Sequence, residues 1–449
     1  MALTIDRLGA LIDSGEIDTV IVAFADMQGR LVGKRSSARL FREEIAAHGA
    51  EACNYLLAVD VEMNTVDGYA ISSWETGYGD MVLRPDLDTL RLVPWLPGSA
   101  LVMADLYRMD DVAVAQSPRE ILKQQIARLA ERDLVPYVGT ELEFLVFDDT
   151  YREAWAKKYE GLKPASDYNI DYALLASTRM EPLLRDIRIG MEGAGMYVEG
   201  AKGECNLGQQ EIAFRYTEAL ATCDNHVIYK NGAKEIADAH GKALTFMAKF
   251  NEREGNSCHI HLSVRGTDGT PVMAGDGDHG FSKLTEHWIA GLLTSLRELT
   301  LFFAPNINSY KRYVEGSFAP TAIAWGLDNR TCALRVVGHG PSLRVENRVP
   351  GGDVNPYLAT AAIIAGGLYG IEHELELEPL FTGNAYGSDA PRVPTTLREA
   401  AELFAQSEIA RAAFGDDVVE HYLNNARIEL QAFDAAVTDW ERVRGFERF

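Results

Sequence analysis

The stretch "VGTELEFLVF", residues 138–147, alternates like a β-strand but carries an unusual pair of acids. Successive side chains of a strand point to opposite faces, so Glu141 and Glu143 would lie on the same face. A strand this apolar is expected to be buried. The stretch therefore predicts a buried sheet in which one face must tolerate two carboxylates.

The same alternation recurs in "QEIAFRY", "CHIHLSV" and "LRVENRV". An ordinary solvated sheet face also alternates, but such faces usually carry Lys, Thr and Ser rather than Glu, His and Arg in successive strands. The expected polar faces comprise Glu211 and Arg215, then His259, His261 and Ser263, then Arg344, Glu346 and Arg348, with Ile212, Phe214 and Tyr216 opposite the first pair.

Acidic side chains that converge in one cavity repel each other unless cations lie between them. A set rich in Glu with a single imidazole suits the oxygen-loving ions Mg²⁺ or Mn²⁺ better than zinc or copper. The sequence therefore predicts divalent metal ions on the polar face of the sheet.

Basic residues are concentrated in the segment 301–350, in a chain whose formal charge is −23. Arginines grouped beside metal-binding acids are typical of sites that handle phosphates. The segment thus predicts a phosphoryl-transfer site. Its basic residues are Lys311, Arg312, Arg330, Arg335, Arg344 and Arg348, and its acids are Glu315, Asp328 and Glu346.

Composition limits the possible partners of this chain of 449 residues. Its acidic surface disfavours nucleic acid and anionic lipid headgroups. The longest apolar run, which begins at Thr360, is shorter than the roughly 18 residues of a membrane span, and nothing in the N-terminus resembles an export signal. The five cysteines form no metal or disulfide pattern. We expect a cytoplasmic protein that binds neither nucleic acid nor membrane.

Two domains are expected, because single hydrophobic cores rarely exceed roughly 300 residues. Residues 1–112 mix a short amphipathic helix with strands and predict a small α+β unit. A capping box, Ser117 to Glu120 with Pro118 at the first helical position, then begins an amphipathic helix. We place the second domain at residues 113–449.

Five longer segments resemble the glutamine synthetase family of the bacterial type, in the family's order and spacing: "GTELEFLVF", "KGECNLGQQEIAFRY", "FMAKFNEREGNSCHIHLS", "NSYKRYVEGSFAPTAIAWGLDNRT" and "SLRVENRVPGGDVNPYLA". The resemblance implies an α+β fold with a small N-terminal β-grasp-like domain. It also implies a large catalytic domain, whose curved antiparallel sheet forms a metal-lined half-barrel flanked by helices. The implied assembly is a dodecamer with sites between subunits.

The resemblance also implies roles for individual residues, two or more metal ions per site, and ATP and glutamate as substrates. One metal would be held by Glu143, Glu204 and Glu211, and a second by Glu141, His259 and Glu346. ATP would contact Glu199, His261, Ser263 and Arg344. Glutamate would contact Gly255, Arg312 and Arg348, and Arg330 and Arg335, with Arg312, would be the catalytic residues.

Two departures from the family concern the second substrate. Where the family's flap carries the glutamate that takes a proton from ammonium, this chain has Phe318, and no Asp-Gly-Ser-Ser motif stands in the N-terminal segment that begins at Asn54. Ammonium needs polar ligands to replace its water, whereas a phenyl ring can cover the carbon chain of an alkylamine. The chain is similar to actinobacterial glutamine-synthetase-like enzymes that act on amines.

We therefore expect a glutamate–amine ligase that makes a γ-glutamylamide, with Phe318 in the amine pocket and ethanolamine or another small primary amine as acceptor. The alternatives are a true glutamine synthetase that uses ammonia, with Glu315, Asp60 or Glu62 as the base, and a polyamine ligase. A non-catalytic relative is disfavoured because all six metal-binding residues are present. Cys258 is expected in the core, and the histidines outside the motifs are expected to be ordinary ones: His226, His240, His279, His287, His373 and His421.

Overall fold

The computed structural model describes residues 3–448. The strands in this range are β1 (Thr19–Ala25), β2 (Leu31–Ser37), β3 (Ala50–Cys53), β4 (Asp80–Pro85), β5 (Arg91–Leu92), β6 (Ser99–Arg108), β7 (Leu134–Phe147), β8 (Val198–Gly203), β9 (Gln209–Phe214), β10 (Thr217–Glu218), β11 (Ala243–Thr245), β12 (Cys258–Gly266), β13 (Trp325–Leu327), β14 (Leu334–Val337) and β15 (Arg344–Asn347).

The α-helices in the same range are α1 (Ile5–Asp13), α2 (Ala38–Leu40), α3 (Ala46–His48), α4 (Pro118–Ala130), α5 (Tyr151–Ala156), α6 (Leu174–Thr178), α7 (Glu181–Gly193), α8 (Ala219–Ala239), α9 (Lys283–Leu296), α10 (Thr300–Phe303), α11 (Pro356–Glu372), α12 (Leu397–Gln406), α13 (Glu408–Phe414), α14 (Asp416–Ala435) and α15 (Asp439–Gly445). A π-helical turn, Phe41–Ile45, joins α2 to α3.

The first sheet has the strand order β2-β1-β6-β4-β3, with β5 paired to β6. The segment "DMQGR" joins β1 and β2 as an antiparallel pair, and β1 runs parallel to β6. Most apolar residues of β1 and β6 are buried and form the hydrophobic core of this part of the chain. The domain boundary after residue 112 stays a prediction.

The second sheet has the order β13-β14-β15-β12-β7-β9-β8, and β10 and β11 pair with the two ends of β7. Its neighbouring strands are antiparallel except for β13 and β14. The fold class is therefore confirmed as α+β, with a curled half-barrel sheet flanked by helices. The stretch "VGTELEFLVF" lies in β7, near the middle of the sheet.

Helix α11 is almost entirely buried and packs against α9 and α4, and the side chain of Asn355 caps its first turn. Its contact with α9 depends on glycine, because a Cβ atom at Gly370 would lie 2.0 Å from the carbonyl oxygen of His287. Nowhere in residues 3–448 is there a helix with the length and hydrophobicity to cross a membrane.

Arg119, in the first turn of α4, links the surroundings of the two sheets through three aspartates. It is 1% exposed. Its guanidinium donates to Asp224 on α8 at 3.0 Å, to Asp105 on β6 at 2.5 Å and to Asp86 at 2.7 Å. The negative charges around it, Asp224 foremost, raise the pKa of Arg119 despite its burial. A buried arginine is thus compensated by acids from both halves of the chain.

The capping box predicted at Ser117 is wrong in one respect. Ser117 is the N-cap of α4 and Pro118 is at the first helical position, but the serine side chain makes no capping hydrogen bond. The proline carries no backbone N–H that would need a partner, which explains why the helix still begins there.

Candidate active site

The sheet register places the predicted polar residues in one row across five strands. Glu143 on β7 lies opposite Glu211 on β9, and Glu141 lies opposite His259 on β12. His261 on β12 in turn lies opposite Glu346 on β15, which pairs with Arg335 on β14. Because paired residues point to the same face, the row forms a single polar surface.

A first acidic cluster contains Glu143, Glu204 and Glu211, whose carboxylate oxygens lie within 4.8 Å of one another. Burial raises the pKa of Glu143 to about 7, and the charge of Glu204 adds to the effect. Burial likewise raises the pKa of Glu211 to about 8, with Glu141 and Glu143 contributing. The ammonium of Lys202 contacts Glu204. This cluster matches the first predicted metal site.

A second cluster contains Glu141, His261 and Glu346, again within 4.8 Å. His259 also belongs to it, because its Nδ1 atom lies 3.4 Å from Glu141 and 3.5 Å from Glu346. Burial lowers the pKa of His259 to about 4, and the charge of Arg348 acts in the same direction. Burial opposes the ionisation of Glu141, but hydrogen bonds from both histidines hold its pKa well below the usual value.

The donor chemistry of both clusters fits divalent cations. All three carboxyls of the first cluster have raised pKa values, because burial disfavours their charged forms and neighbouring acids repel them, despite the contact of Lys202 with Glu204. In the second cluster the Nε2 atom of His259 is buried and has no hydrogen-bond partner within the described residues. Carboxylate oxygens with one or two imidazole nitrogens are a suitable ligand set for Mg²⁺ or Mn²⁺. His261 belongs to the second cluster as His259 does. The sequence prediction assigned His261 to ATP and not to a metal ion.

A cavity of about 520 Å³ opens beside the second cluster. It is lined by the four residues predicted to contact ATP, and by Glu141 of the second cluster. Residues that were not predicted from the sequence also line it. The four predicted residues are Glu199, His261, Ser263 and Arg344, and the additional ones include Tyr137, Tyr216 and Arg265.

The additional residues form an aromatic and cationic wall. Arg265 lies 4.9 Å from the ring centroid of Tyr137 and donates to the hydroxyl of Tyr216 at 3.0 Å. Tyr137 shares a face of β7 with Glu141, so strand alternation could have identified it. Tyr216 was assigned to the apolar face, which is wrong because β9 ends at Phe214 and the alternation ends with it. Arg215, expected on the polar face, instead lies over the ring of Tyr197.

Arg312 and Gly255 lie against each other, as expected for residues of one site. A Cβ atom at Gly255 would lie 2.8 Å from the Cγ atom of Arg312. Arg312 is 2% exposed. One of its nitrogens donates to the carbonyl oxygens of residues 348, 349 and 350, and another donates to Ser257 at 3.2 Å. Three of its four side-chain hydrogen bonds therefore hold the loop that carries Arg348.

Arg348 links the second cluster to the flap. One of its nitrogens donates to Glu346 at 2.5 Å, and another donates to the carbonyl oxygen of Phe318 at 3.2 Å. Phe318 has a φ of +60°, a left-handed conformation, and its side chain is 58% exposed. The aromatic ring predicted for the amine pocket is therefore accessible, and its backbone is fixed by a residue of the site.

The two candidate phosphate-binding arginines differ in their surroundings. Arg335 donates to Glu346 at 2.8 Å and to Asp328 at 2.9 Å, and its side chain is 13% exposed. Arg330 is 57% exposed and 4.0 Å from Asp328. The structure thus brings Arg335 into contact with the second cluster, and leaves Arg330 at the rim.

Of the three candidate bases, Glu315 lies in the flap, three residues before Phe318, whereas Asp60 and Glu62 lie in the N-terminal part of the chain. Asp60 accepts from the backbone and the side chain of Asn64 at 2.7 and 3.0 Å. The charges of Asp60 and Glu62, with burial as the main cause, raise the pKa of Glu429 on α14. None of these contacts involves Phe318, so the base that deprotonates an amine stays unidentified.

Cys258 is buried and packed in the core, as predicted. Two of the unmatched histidines are also buried. His226 contacts Thr140 at 3.2 Å and His421 contacts Met27 at 2.9 Å.

A curled antiparallel sheet with two acid-rich clusters beside a long cavity is the arrangement of a metal-dependent, nucleotide-using enzyme. Residues 115–444 match the family model described as glutamine synthetase, catalytic domain. The chain therefore belongs to the glutamine synthetase family of ATP-dependent carbon–nitrogen ligases.

Relatives within this family include enzymes named for amines. The chain is 62% identical to the gamma-glutamylethanolamide synthetase of Streptomyces coelicolor, over 99% of this chain and 96% of the relative. It is 36% identical to the glutamate–isopropylamine ligase of a Pseudomonas species, over 96% of each chain. A solved structure of a GmaS/ADP complex superimposes with a TM-score of 0.86 at 28% identity, covering 98% of this chain and 99% of that one.

Proposed function

We propose that the protein is an ATP-dependent glutamate–amine ligase that forms a γ-glutamylamide, with ethanolamine as the acceptor. The observation that carries this proposal is the 62% identity, over 99% of the chain, to an enzyme named for γ-glutamylethanolamide. The exposed ring of Phe318 at the flap supports it, because an alkylamine needs apolar cover for its carbon chain and ammonium does not.

The first step joins glutamate to phosphate. An oxygen of the γ-carboxylate attacks the terminal phosphorus of ATP, the bond from that phosphorus to ADP breaks, and γ-glutamyl phosphate forms. Both reactants are anions, so positive charge must lie where they meet. Arg335, with Arg330 at the rim, is suited to this role. Gly255 and Arg348 would contact glutamate, and Arg312 would hold the loop that bears Arg348.

In the second step the neutral amine attacks the acyl carbon, the bond from that carbon to the phosphate oxygen breaks, and inorganic phosphate leaves. The nitrogen loses a proton to a base that we do not assign. The flap around Phe318 would exclude water that would otherwise hydrolyse the acyl phosphate.

The two clusters are proposed as sites for two or more Mg²⁺ or Mn²⁺ ions. Glu143, Glu204 and Glu211 would hold one ion. Glu141, Glu346 and one or both of His259 and His261 would hold another. Bound ions would offset the charges of the ATP phosphates and of the glutamate carboxylate. ATP itself would occupy the cavity lined by Glu199, Ser263 and Arg344.

We further propose, from the family resemblance, that the protein works in the cytoplasm as a dodecamer with sites between subunits. Sedimentation of the purified protein tests the assembly. A stable monomer with full activity would contradict it.

The decisive experiment measures phosphate release with glutamate, ATP and Mg²⁺ against ammonium, methylamine, ethanolamine, isopropylamine, putrescine and spermidine. We expect ethanolamine to give the highest kcat/KM and mass spectrometry to identify γ-glutamylethanolamide. Turnover with ammonium alone would identify a glutamine synthetase. A preference for spermidine would identify a polyamine ligase. No turnover with any amine would contradict the proposal altogether.

A further inference from the structure

A second cavity, of about 620 Å³, lies on the far side of the sheet from the proposed nucleotide site. Its walls come from the β1–β2 turn, from α8, from the segment after β11 and from the loop before α11. It shares no lining residue with the first cavity. Its charged lining residues are Arg30, Lys230, Lys234 and Asp353.

The two lysines are the dominant feature of this cavity. They are four residues apart on α8 and therefore project from the same face of the helix. Both ammonium groups lie over one ring, that of Phe246, at 5.6 Å for Lys230 and 5.8 Å for Lys234. Two like charges beside one aromatic ring repel each other.

These lysines lack a neutralising partner among the described residues. Neither ammonium is ion-paired with a carboxylate in that part of the chain. Burial lowers the pKa of Lys230 to about 8, with the charge of Lys234 as the next cause. Burial and the charge of Arg30 lower the pKa of Lys234. The site is thus short of negative charge in a protein whose net charge is −23.

The remaining charged groups are largely engaged elsewhere. Arg30 donates to Asp26 at 2.6 Å, to the carbonyl oxygen of Val61 at 2.6 Å and to Gln28 at 3.2 Å. Asp353 accepts from Asn306 at 2.8 Å and from Ser309 at 2.6 Å. Only the Oδ2 atom of Asp353 is engaged in this way. Its Oδ1 atom has no hydrogen-bond partner among the described residues, and its charge favours the protonated form of Lys230. One carboxylate therefore faces two lysines, and the cavity keeps an excess of positive charge.

We propose that this cavity is a second ligand site, which binds a small molecule bearing a phosphate group. A phosphate monoester carries close to two negative charges, which matches two ammonium groups in one contact, whereas a carboxylate carries one charge. Lysine binds phosphate as a point charge and needs no fixed bidentate geometry. Met63, Val32 and Phe246 provide apolar surface for the organic part of the ligand.

The site also adjoins the proposed glutamate-binding loop. The ammonium of Lys230 donates to the carbonyl oxygen of Gly352 at 2.8 Å, and this residue follows the three carbonyl groups that accept from Arg312. Lys230 therefore connects the second cavity to the loop held by Arg312, at a residue two positions after Pro350.

The test is equilibrium dialysis with radiolabelled inorganic phosphate, without nucleotide or divalent metal and at constant ionic strength. We expect saturable binding of one equivalent per chain that weakens about tenfold in Lys234→Met and in Lys230→Met, because each loses one charged contact. Lys234 is an exposed residue, although its ammonium group is partly desolvated, so its replacement leaves the core intact. An unchanged circular dichroism spectrum verifies the fold of each variant.

Lys283→Met is the matched control, because it removes a 63% exposed lysine from α9. It should bind phosphate as the wild type does. The proposal is overturned if the wild type shows no saturable binding at tens of millimolar phosphate, or if both lysine variants keep that equivalent at wild-type affinity. An equal loss in Lys283→Met would reveal general charge attraction and would overturn it as well.

Discussion

The backbone of Phe318 is held in a conformation that an aromatic residue rarely adopts. Its φ is +60°. A left-handed conformation costs a non-glycine residue about 1–2 kcal/mol. The hydrogen bond from Arg348 to the Phe318 carbonyl oxygen helps to offset this cost. The ring position is therefore set by a contact from the active-site sheet, not by local preference.

Replacing Phe318 with Glu should change the preferred acceptor. Loss of the apolar contact with two methylene groups should lower kcat/KM for ethanolamine by about tenfold, at about 0.8 kcal/mol per methylene. The new carboxylate should allow measurable turnover with ammonium. Phosphate release with both amines measures the two effects.

Phe318→Leu is the control for this substitution, since it keeps an apolar side chain and should retain ethanolamine turnover. If Phe318→Glu uses ethanolamine as well as the wild type does, the ring has no part in the amine pocket.

Glu211→Gln should have opposite effects on stability with and without metal. Without divalent ions it should raise Tm, because it removes one of three mutually repelling buried carboxyls. With Mg²⁺ or Mn²⁺ it should lose most of the ligand-induced rise in Tm, which for a site filled to about 100 times its Kd corresponds to about 2.7 kcal/mol. Thermal denaturation with EDTA and with added metal measures both.

Glu160→Gln, at an exposed position, removes the same charge far from the cluster and should behave as the wild type does. A fall in Tm for Glu211→Gln in EDTA would show that repulsion between the carboxyls of this cluster does not destabilise the metal-free protein.

Strand alternation was sufficient to predict most of the acid cluster. Glu141, Glu143, His259 and Glu346 all lie on the expected faces. Successive side chains of a strand alternate between its two faces, so the face of each residue can be read from its neighbours in sequence. The contacts of Arg312 could not be predicted in this way. Its carbonyl partners lie 36 to 38 residues further on, and no periodic signal reports such contacts.

At the scale of elements, helix α4 links the two sheets through the ion pairs of Arg119. Its first turn was predicted from Ser117 and Pro118, yet the burial of Arg119 was not. An arginine at a helix start usually lies in solvent, and the aspartates that explain its burial are 14, 33 and 105 residues away. Long-range charge pairing of this kind leaves no trace in local sequence.

Arg119→Met should therefore destabilise the protein by about 3–5 kcal/mol, because it leaves the buried carboxylate of Asp224 without its salt-bridge partner. Lys123→Met removes a partly exposed lysine that shares Asp105, and should cost about 1 kcal/mol or less. Urea unfolding followed by circular dichroism gives both values. Equal losses in the two variants would mean that the network contributes nothing beyond a surface ion pair.

At the scale of the whole molecule, two buried histidines should make the fold sensitive to acid. Burial lowers the pKa of His421 to about 3, and burial with the charge of Lys230 lowers that of His226 to about 3, from an ordinary value of 6.5. Between these values the unfolded chain binds protons that the folded chain does not. The stability is thus complete above about pH 6.5 and decreases as the pH falls towards 3.

His421→Asn should reduce this dependence. His421 lies against Met27 and 4.7 Å from the ring centroid of Tyr69, and within residues 3–448 it has no charged partner that would favour its protonation. Its loss should lower the slope of unfolding free energy between pH 4 and 6 by about 1.4 kcal/mol per pH unit. Denaturant unfolding at a series of pH values measures the slope.

His48→Asn, at an exposed position, should leave that slope unchanged. The same slope in His421→Asn as in the wild type would show that the acid sensitivity arises elsewhere.

The central position of β7 has a consequence for how the protein is made. Glu141 and His259 lie opposite each other although they are 118 residues apart, and β9, β10 and β11 must also find β7. Chains with many such distant pairings fold slowly, and their unpaired strand edges are prone to aggregation. During synthesis the carboxylates of β7 therefore leave the ribosome long before their partners. We expect nascent chains that end before β12 to depend on chaperones.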